Sequence, residues 1–361
     1  MHRVVFIACP RSIANTERNC LLPSLYLWSR TALTAGFSVS VIICSYNGAS
    51  RVRSTLEALA KCKVDFPVEI ILVDNESNDG TADVARQVWD EVGNPNFVFR
   101  ALREPQLGLT FARRRGVRAA RGDLIVFCDD DNWLASDYLK VAVEVMRNPA
   151  IGAVGGQCEP VIEGTVPNFL YSHGGGYALG IQAVTPGDVT ESRGYLWGAG
   201  LTARRGDLLT LYDCPGFPVL LDRRERQLSA GGDSEICAGL ILLDRRLVYD
   251  DRLYLRHFVP AYRLTSDYLL QLVTGFGDSH ERLWYYAVLR DLRSHSCIGN
   301  VARNGLRWLR WMADDTRKQR YRFAFLGAAR LPAAMTETER VYYRIYRHLL
   351  SKTRLRAHAA G

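Results

Sequence analysis

The sequence predicts an α/β protein, a mainly parallel sheet flanked by helices and followed by a C-terminal helical region. Three observations predict it. From Ser38 onward short apolar runs alternate with stretches of helical spacing, a rhythm that implies parallel strands joined by crossover helices. The run Phe127-Cys128-Asp129-Asp130-Asp131-Asn132 closes an apolar strand with three consecutive carboxylates, at the strand end where open parallel sheets bind ligands. After Leu264 the strand patterns stop and amphipathic helical ones take over.

The elements follow in order. Residues 1–37 form an N-terminal extension to which no order is assigned. Its apolar start, Val4 to Cys9, and a second patch broken by Pro23 match a signal peptide poorly. Val39 to Cys44, Val68 to Val73, Phe97 to Ala101 and Leu124 to Cys128 read as buried strands, because each is a short apolar run bounded by turn residues. Helical spacing fills the gaps at Ser50 to Lys61, Thr81 to Val92 and Thr110 to Ala120. A further helix after the aspartates has Ser136 as its expected cap. Past Ala153-Val154-Gly155-Gly156 the pattern loosens into a Gly-rich stretch around His173, too irregular for a phosphate-cradling loop. Trp197 to Thr202 reads as a strand whose small residues permit close approach. Gly231-Gly232-Asp233-Ser234-Glu235 opens a helix running to about Leu243, and a short strand, Leu247 to Tyr249, leads to Arg256-His257. Amphipathic helices are expected around 281–293, 299–313 and 336–350.

Composition bounds the function. At 361 residues and 48% hydrophobic, the chain can bury a large core. Its formal charge of +8 is concentrated in arginines of the last third, which suits nucleotide phosphates or an anionic membrane surface. No zinc-ligand spacing, RNA-binding aromatic signature or helix-turn-helix cue is present, so nucleic acid is not an expected partner. Nine cysteines without paired spacing point to a reduced cytoplasmic compartment. No apolar run reaches the roughly 18 to 20 residues of a membrane span.

Polar residues at the strand ends carry the functional information. Ser45-Tyr46-Asn47 ends the first strand, Asp74-Asn75 with Asp79-Gly80-Thr81 the second, and the aspartate cluster the fourth. Carboxylates packed this closely are costly unless a cation neutralises them, and oxygen ligands favour Mg2+ or Mn2+. A polar turn ahead of a capped helix is the competing reading of the same residues.

Together these residues resemble a family 2 glycosyltransferase of the GT-A nucleotide-sugar fold. The matching pieces are Val41 to Asn47, Val73-Asp74-Asn75 with Asp79-Gly80-Thr81, Gly108-Leu109 with Ala112-Arg113 and Gly116, Ala120 to Asp123, the aspartate cluster and Gly232 to Glu235. They occur in the family's order across roughly residues 38 to 260. The resemblance implies a Rossmann-like mixed sheet in a catalytic domain over 38–262. Its nucleotide-binding half would be 38–156 and its acceptor half 157–262, with helices over 263–361.

The resemblance also implies roles. Asp74 would accept a hydrogen bond from the base, with Ser45, Tyr46, Asn47 and Asn75 lining the base and ribose pocket. Asp129 and Asp131 stand at the outer positions of the DXD-type motif, so Asp131 would hold the metal on the diphosphate and Asp129 a ribose or metal water, with Asp130 interchangeable. Arg113 would bind phosphate. Asp233 matches the general base of inverting members, although a carboxylate there is also a good helix cap. Gly232 departs from the usual Glu, and Glu235 is the residue expected to substitute for it at the acceptor. His257 resembles a histidine that closes over the metal, and a structural histidine is the alternative. Trp197 and Gly198 would floor the acceptor site, against the alternative of an aromatic core anchor.

The implied activity is metal-dependent, inverting transfer of one sugar, with a UDP-sugar as the expected donor. A glycan or polyprenyl-linked hydroxyl would accept it, in bacterial surface polysaccharide synthesis. No Gln-x-x-Arg-Trp sequence follows Asp233 and no membrane spans flank the domain, which argues against a processive synthase. The arginine-rich C-terminal helices would dock peripherally at the inner face of the membrane or pack on the catalytic domain or a second subunit. A nucleotidyltransferase is the rival enzyme, but the Gly-rich basic loop it needs after the first strand is not found in Ser45 to Ala49. The missing Glu at position 232 leaves a non-catalytic nucleotide-sugar binder as a third reading.

Overall fold

The computed structural model describes residues 4–6, 37–221, 231–293 and 315–360. The predicted α/β architecture is present. One sheet of ten strands crosses the described residues, with β1 at Val4–Phe6, β2 at Val39–Ser45, β3 at Val68–Asp74, β4 at Phe97–Arg103 and β5 at Leu124–Asp129. The remaining strands are β6 at Asn132–Leu134, β7 at Ile151–Glu163, β8 at Gly187–Asp188, β9 at Thr202–Arg204 and β10 at Arg246–Val259. The order β4-β3-β2-β5-β9-β7-β10-β6 is parallel among the first four and antiparallel on both sides of β9.

The parallel half folds as its sequence dictates. Strands β2, β3 and β5 are buried nearly end to end, as expected of strands covered on both faces. Helices α1 (Val52–Ala60), α2 (Thr81–Val92) and α3 (Leu109–Ala119) supply that cover. Ser45 and Asp74 are paired in register, so the polar ends of β2 and β3 come out level at one edge.

Four expectations are corrected. Ser136 caps no helix: α4 (Tyr138–Met146) begins after Asp137, because the chain first forms β6 against β10. The loosened Gly-rich region begins with a 13-residue strand, β7. Its glycines hide the pattern, and one is obligatory, since a Cβ on Gly156 would overlap the Leu253 carbonyl oxygen where β10 crosses. Only Thr202–Arg204 of the expected strand at Trp197 pairs as one. The preceding residues turn, with the Gly200 amide on the Phe127 carbonyl and the Phe127 amide on the Leu201 carbonyl. The strand expected at Leu247 to Tyr249 is β10, extended past an irregularity between Tyr249 and Tyr254 so that His257 lies inside it.

Of the N-terminal extension, Val4–Phe6 adds an edge strand antiparallel to Val161–Glu163; the rest lies outside the described residues. So does the expected helix at 299–313. The other two expected C-terminal helices are α8 (Ser266–Arg293) and α10 (Glu337–Ala360), with α9 (Asp315–Ala328) an addition. They share one apolar core with the sheet and its helices, in which Leu208, Leu211, Phe217 and Leu240 belong to the same cluster as Leu289, Phe323, Tyr342 and Leu349. These helices therefore pack on the α/β part of the chain. Among the described residues no helix is long and apolar enough to cross a membrane.

Glu235 ties this junction. It lies on α7 (Gly232–Leu242), and its fully buried carboxylate accepts the Val219 amide at 2.8 Å, the Leu220 amide at 2.9 Å and the Tyr286 hydroxyl of α8 at 2.6 Å. Glu235→Ala strands two amides and a hydroxyl in the core, a loss expected to cost about 2–5 kcal/mol, read as a lowered midpoint in urea unfolding. Gly156→Ala forces apart β7 and β10 and is expected to destabilise by at least about 2 kcal/mol in the same measurement.

Candidate active site

The polar strand ends open into one cavity of about 890 Å³, a volume suited to a ligand larger than a single sugar. Ser45, Tyr46, Asn47 and Asn75 line it from the ends of β2 and β3, Asp129 to Asp131 from β5, Arg113 from α3, Trp197 and Gly198 from the turn before β9, Asp233 from α7 and His257 from β10. These sites, scattered over more than two hundred positions of sequence, are thus one place.

The aspartates divide their roles by partner. Asp130 is closed off: Arg51 holds both its oxygens, Nε to Oδ1 at 3.0 Å and Nη2 to Oδ2 at 2.9 Å, and the Ser45 hydroxyl donates to Oδ2 at 2.5 Å. Burial, with Asp131 beside it, raises its carboxyl above the usual range against the pull of Arg51. Asp131 is bound differently, with Oδ2 on Arg263 Nη1 at 2.8 Å and Oδ1 on the Asn132 amide at 3.1 Å. His257 Nε2 stands 3.5 Å from the same Oδ1. Burial would raise this carboxyl too, but His257 and Arg263 outweigh it and hold Asp131 below the ordinary carboxylate range. The Asp129 backbone amide bonds to Asn132 at 3.2 Å, which directs the start of the turn and leaves the Asp129 carboxylate facing the cavity. Asp130 is therefore not interchangeable with its neighbours, because Arg51 claims both of its oxygens.

The nucleotide side is shaped by short polar clasps. Asn75 is buried and spends its amide on the Glu104 and Gln106 carbonyls while accepting the Gly108 amide, so it fixes the loop into α3 rather than offering a free polar group. Asn47 adopts a left-handed φ of 49° and accepts the Asn78 amide. Asp79 holds the Ala49 amide and the Thr81 hydroxyl, which binds the two loops together. Asp74 stands at the rim outside the lining residues, with Oδ1 engaged by the Ser77 amide at 3.1 Å. Tyr46 is exposed beside it. Cys44 also lines the cavity, but burial pushes its thiol up to about 12, so it is no nucleophile.

Across the cavity Asp233 sits in the first turn of α7, with Oδ1 on the Ser234 amide at 2.7 Å and Oδ2 on the Gly198 amide at 2.9 Å. Oδ1 also accepts the Ser234 hydroxyl at 3.5 Å, whereas Oδ2 keeps a second lone pair for an incoming donor. A Cβ at Gly198 would lie 2.6 Å from Arg113 Nη2, so a larger residue there would push the guanidinium aside. Arg113, buried and 5.4 Å over the Phe127 ring, thus flanks the same backbone position as Asp233.

Glu235 and Gly232 differ from the acceptor-side expectation, while Trp197 and Gly198 line the cavity. Glu235 does not reach the cavity, because its oxygens are consumed by the 219–220 amides and Tyr286, and Gly232 does not line it either. Trp197 borders the cavity with 6% of its surface exposed, whereas Tyr195 exposes 37%. The Arg193 guanidinium backs the Tyr195 ring at 4.2 Å. Gln182 fixes this segment by accepting the Trp197 amide and donating to the Gly156 carbonyl. Tyr195, Arg51 and Arg263 are the site residues that sequence reasoning missed. Arg263 lies six positions past His257, but no local pattern marks it, and Arg51 reads as an ordinary helix-start residue.

A divalent cation fits the donor set. His257 Nε2 stands 3.5 Å from Asp131 Oδ1, close enough for one ion to take both a nitrogen and a carboxylate oxygen. Among the described residues no three His, Cys, Asp or Glu side chains gather into a closed metal cage. An ion of the Mg2+ class needs none, since it takes one or two protein ligands and completes its shell with water and substrate phosphates.

Comparison with known proteins places this geometry. Residues 40–208 match the glycosyl transferase family 2 model. The chain is 35% identical over 101 residues to a putative glycosyltransferase, EpsH, of Bacillus subtilis, a match covering 28% of each protein. It is 29% identical over 155 residues to glycosyltransferase AglE of Haloferax volcanii, covering 43% of this chain and 47% of that protein. The chain thus matches less than half the length of either relative. The mannosyltransferase PcManGT of Pyrobaculum calidifontis, solved with GDP-Man and Mn2+, aligns over 90% of this chain and 87% of its own at 16% identity and a TM-score of 0.45. Residues 40–208, which carry the β2, β3 and β5 strand ends and the aspartate cluster, are the part of the chain that is similar to glycosyl transferase family 2.

Proposed function

We propose that this protein transfers one sugar, with inversion, from a nucleoside diphosphate sugar to a hydroxyl of a glycan or lipid-linked acceptor. The observation that carries this reading is that Asp233 and the Asp129–Asp131 corner open into the same cavity, with Arg113 between them. A single displacement needs a base for the nucleophile and a stabiliser for the leaving group at the two ends of the reacting bond.

Tyr46 and Asp74 at the rim receive the nucleoside, with Ser45 and Asn47 behind them, and Asp129 faces the ribose. Asp131 and His257 hold the divalent ion. When bound, Mg2+ or Mn2+ supplies Lewis-acid stabilisation to the departing diphosphate. Arg113 adds a fixed cation on the sugar side of the leaving group. Asp233 takes the proton from the acceptor hydroxyl through the Oδ2 lone pair that the Gly198 amide leaves open. The fixed amides orient the carboxylate before the acceptor arrives, which saves the cost of ordering it during reaction. The exposed face of Tyr195 replaces Trp197 as the platform for the acceptor, since an aromatic face suits carbohydrate CH groups.

A UDP-sugar is the donor proposed, and surface polysaccharide assembly at the inner face of the membrane the setting. A panel of nucleoside diphosphate sugars, scored by metal-dependent thermal stabilisation, identifies the donor. Asp233→Asn keeps one carbonyl oxygen for the backbone amides but removes the base. It is expected to lower transfer by about a hundred- to ten-thousand-fold while donor-induced stabilisation persists. Turnover near wild type with donor binding intact would show that another group accepts the proton.

A further inference from the structure

The two arginines on the aspartate cluster are built for different work. Arg51 spends Nε and Nη2 on both Asp130 oxygens, a closed fork-to-fork pair on the first helix. Arg263 gives Asp131 one nitrogen, Nη1, while Nε reaches the Tyr262 hydroxyl at 3.3 Å. Its Nη2 makes no hydrogen bond among the described residues, and the guanidinium lines the cavity. It sits on the single 3-10 turn Ala261–Arg263, which follows directly on the strand bearing His257.

Charge arithmetic then sets a conflict. A divalent cation held by Asp131 and His257 would stand beside a guanidinium 2.8 Å from the same carboxylate. With Asp130 already neutralised by Arg51, the two charges of Asp131 and Asp129 face three positive ones, and Asp131 Oδ2 would have to serve both the ion and Arg263. Either the ion is excluded or Arg263 leaves, and the anion that arrives with the ion, a diphosphate, offers the oxygens to receive a planar guanidinium.

We propose that Arg263 is a diphosphate-binding residue that competes with the divalent cation for Asp131 and passes to the nucleotide's phosphates when the cation takes that carboxylate. The inference rests on the donor-site reading above. It makes metal and nucleotide binding mutually dependent: the ion alone must displace an ion pair, while the ion with a diphosphate gives the displaced cation a new partner. Reciprocity requires the nucleotide to strengthen metal binding by the same factor as the metal strengthens nucleotide binding.

Titration calorimetry of the full chain tests this with Mn2+ alone, and with UDP or GDP, whichever the wild type binds, with and without Mn2+. Arg263→Gln is expected to bind Mn2+ alone about tenfold more tightly and the nucleotide in Mn2+ about tenfold more weakly. Nucleotide affinity without metal should stay unchanged, so the coupling factor falls about tenfold. Opposite signs for the two ligands are what a merely structural arginine would not give. Equal or weaker Mn2+ binding by Arg263→Gln overturns the proposal even when wild-type metal and nucleotide binding are normal. Wild-type protein that binds neither nucleotide in Mn2+ overturns the donor-site reading and this proposal with it. Should Arg263→Gln not fold, Arg263→Lys is measured, where the point charge replaces the fork and the same opposite shifts are expected at about threefold. Unchanged values there also overturn the proposal.

Discussion

Asp130 and Asp131, 6% and 3% exposed at the end of β5, are held by arginines that come from opposite ends of the folded domain. Arg51 brings the start of the first helix onto Asp130, and Arg263 brings the turn after the last strand onto Asp131. Removing one partner from such a pair would leave an uncompensated buried charge, typically a loss of about 3–5 kcal/mol. The cavity's shape follows from this constraint, because both walls of the nucleotide side are anchored to the carboxylates between them. The same pairing sorts three chemically identical residues. Asp130 is committed to the fold, Asp131 to an exchangeable partner, and Asp129 to the cavity.

A second junction organises the acceptor side. The first turn of α7 presents Asp233 to the cavity through the Gly198 amide, while two residues later Glu235 faces the other way into the core. That alternation links Asp233 to the helical region. Glu235 holds Tyr286 of α8, and α8 in turn contributes Leu272 and Phe276 to the cavity wall. The C-terminal helices are thus part of the site's construction, which explains why their apolar faces turn inward and share the catalytic core.

The parallel half was nearly fully legible in the sequence. Thr81–Val92 forms the helix its spacing predicts, and the strands from Val39 to Asp129 lie within two residues of their apolar runs. Of these, β2, β3 and β5 are buried on both faces, so hydrophobicity marks them without help from neighbours. The antiparallel half was not legible. In β7 three glycines, of which Gly156 is required by the Leu253 carbonyl of the neighbouring β10, erase the apolar signal, and in β10 Asp250 to Arg252 interrupt it. At Trp197 the residues are apolar enough for a strand, but the Gly198 amide is diverted to Asp233, a partner 35 positions away.

What the sequence determined by itself was the alternation of elements, the level at which polar residues leave them, and the strand-end residues Ser45 to Asn47, Asn75 and Asp129 to Asp131 that meet in the cavity. Local periodicity and the pleat of parallel strands decide these. Tertiary structure alone decided the division of labour. Arg51 lies 79 positions from Asp130 and Arg263 lies 132 from Asp131, so no local pattern says which aspartate is tied, which is exchangeable and which is open. Glu235 and Tyr195 were settled the same way. One was drawn into the core by amides that turn out to need it, and the other was set facing the cavity by a guanidinium stacked behind its ring. Charge compensation and hydrogen-bond satisfaction are properties of neighbours in space, and in this chain those neighbours are far apart in sequence.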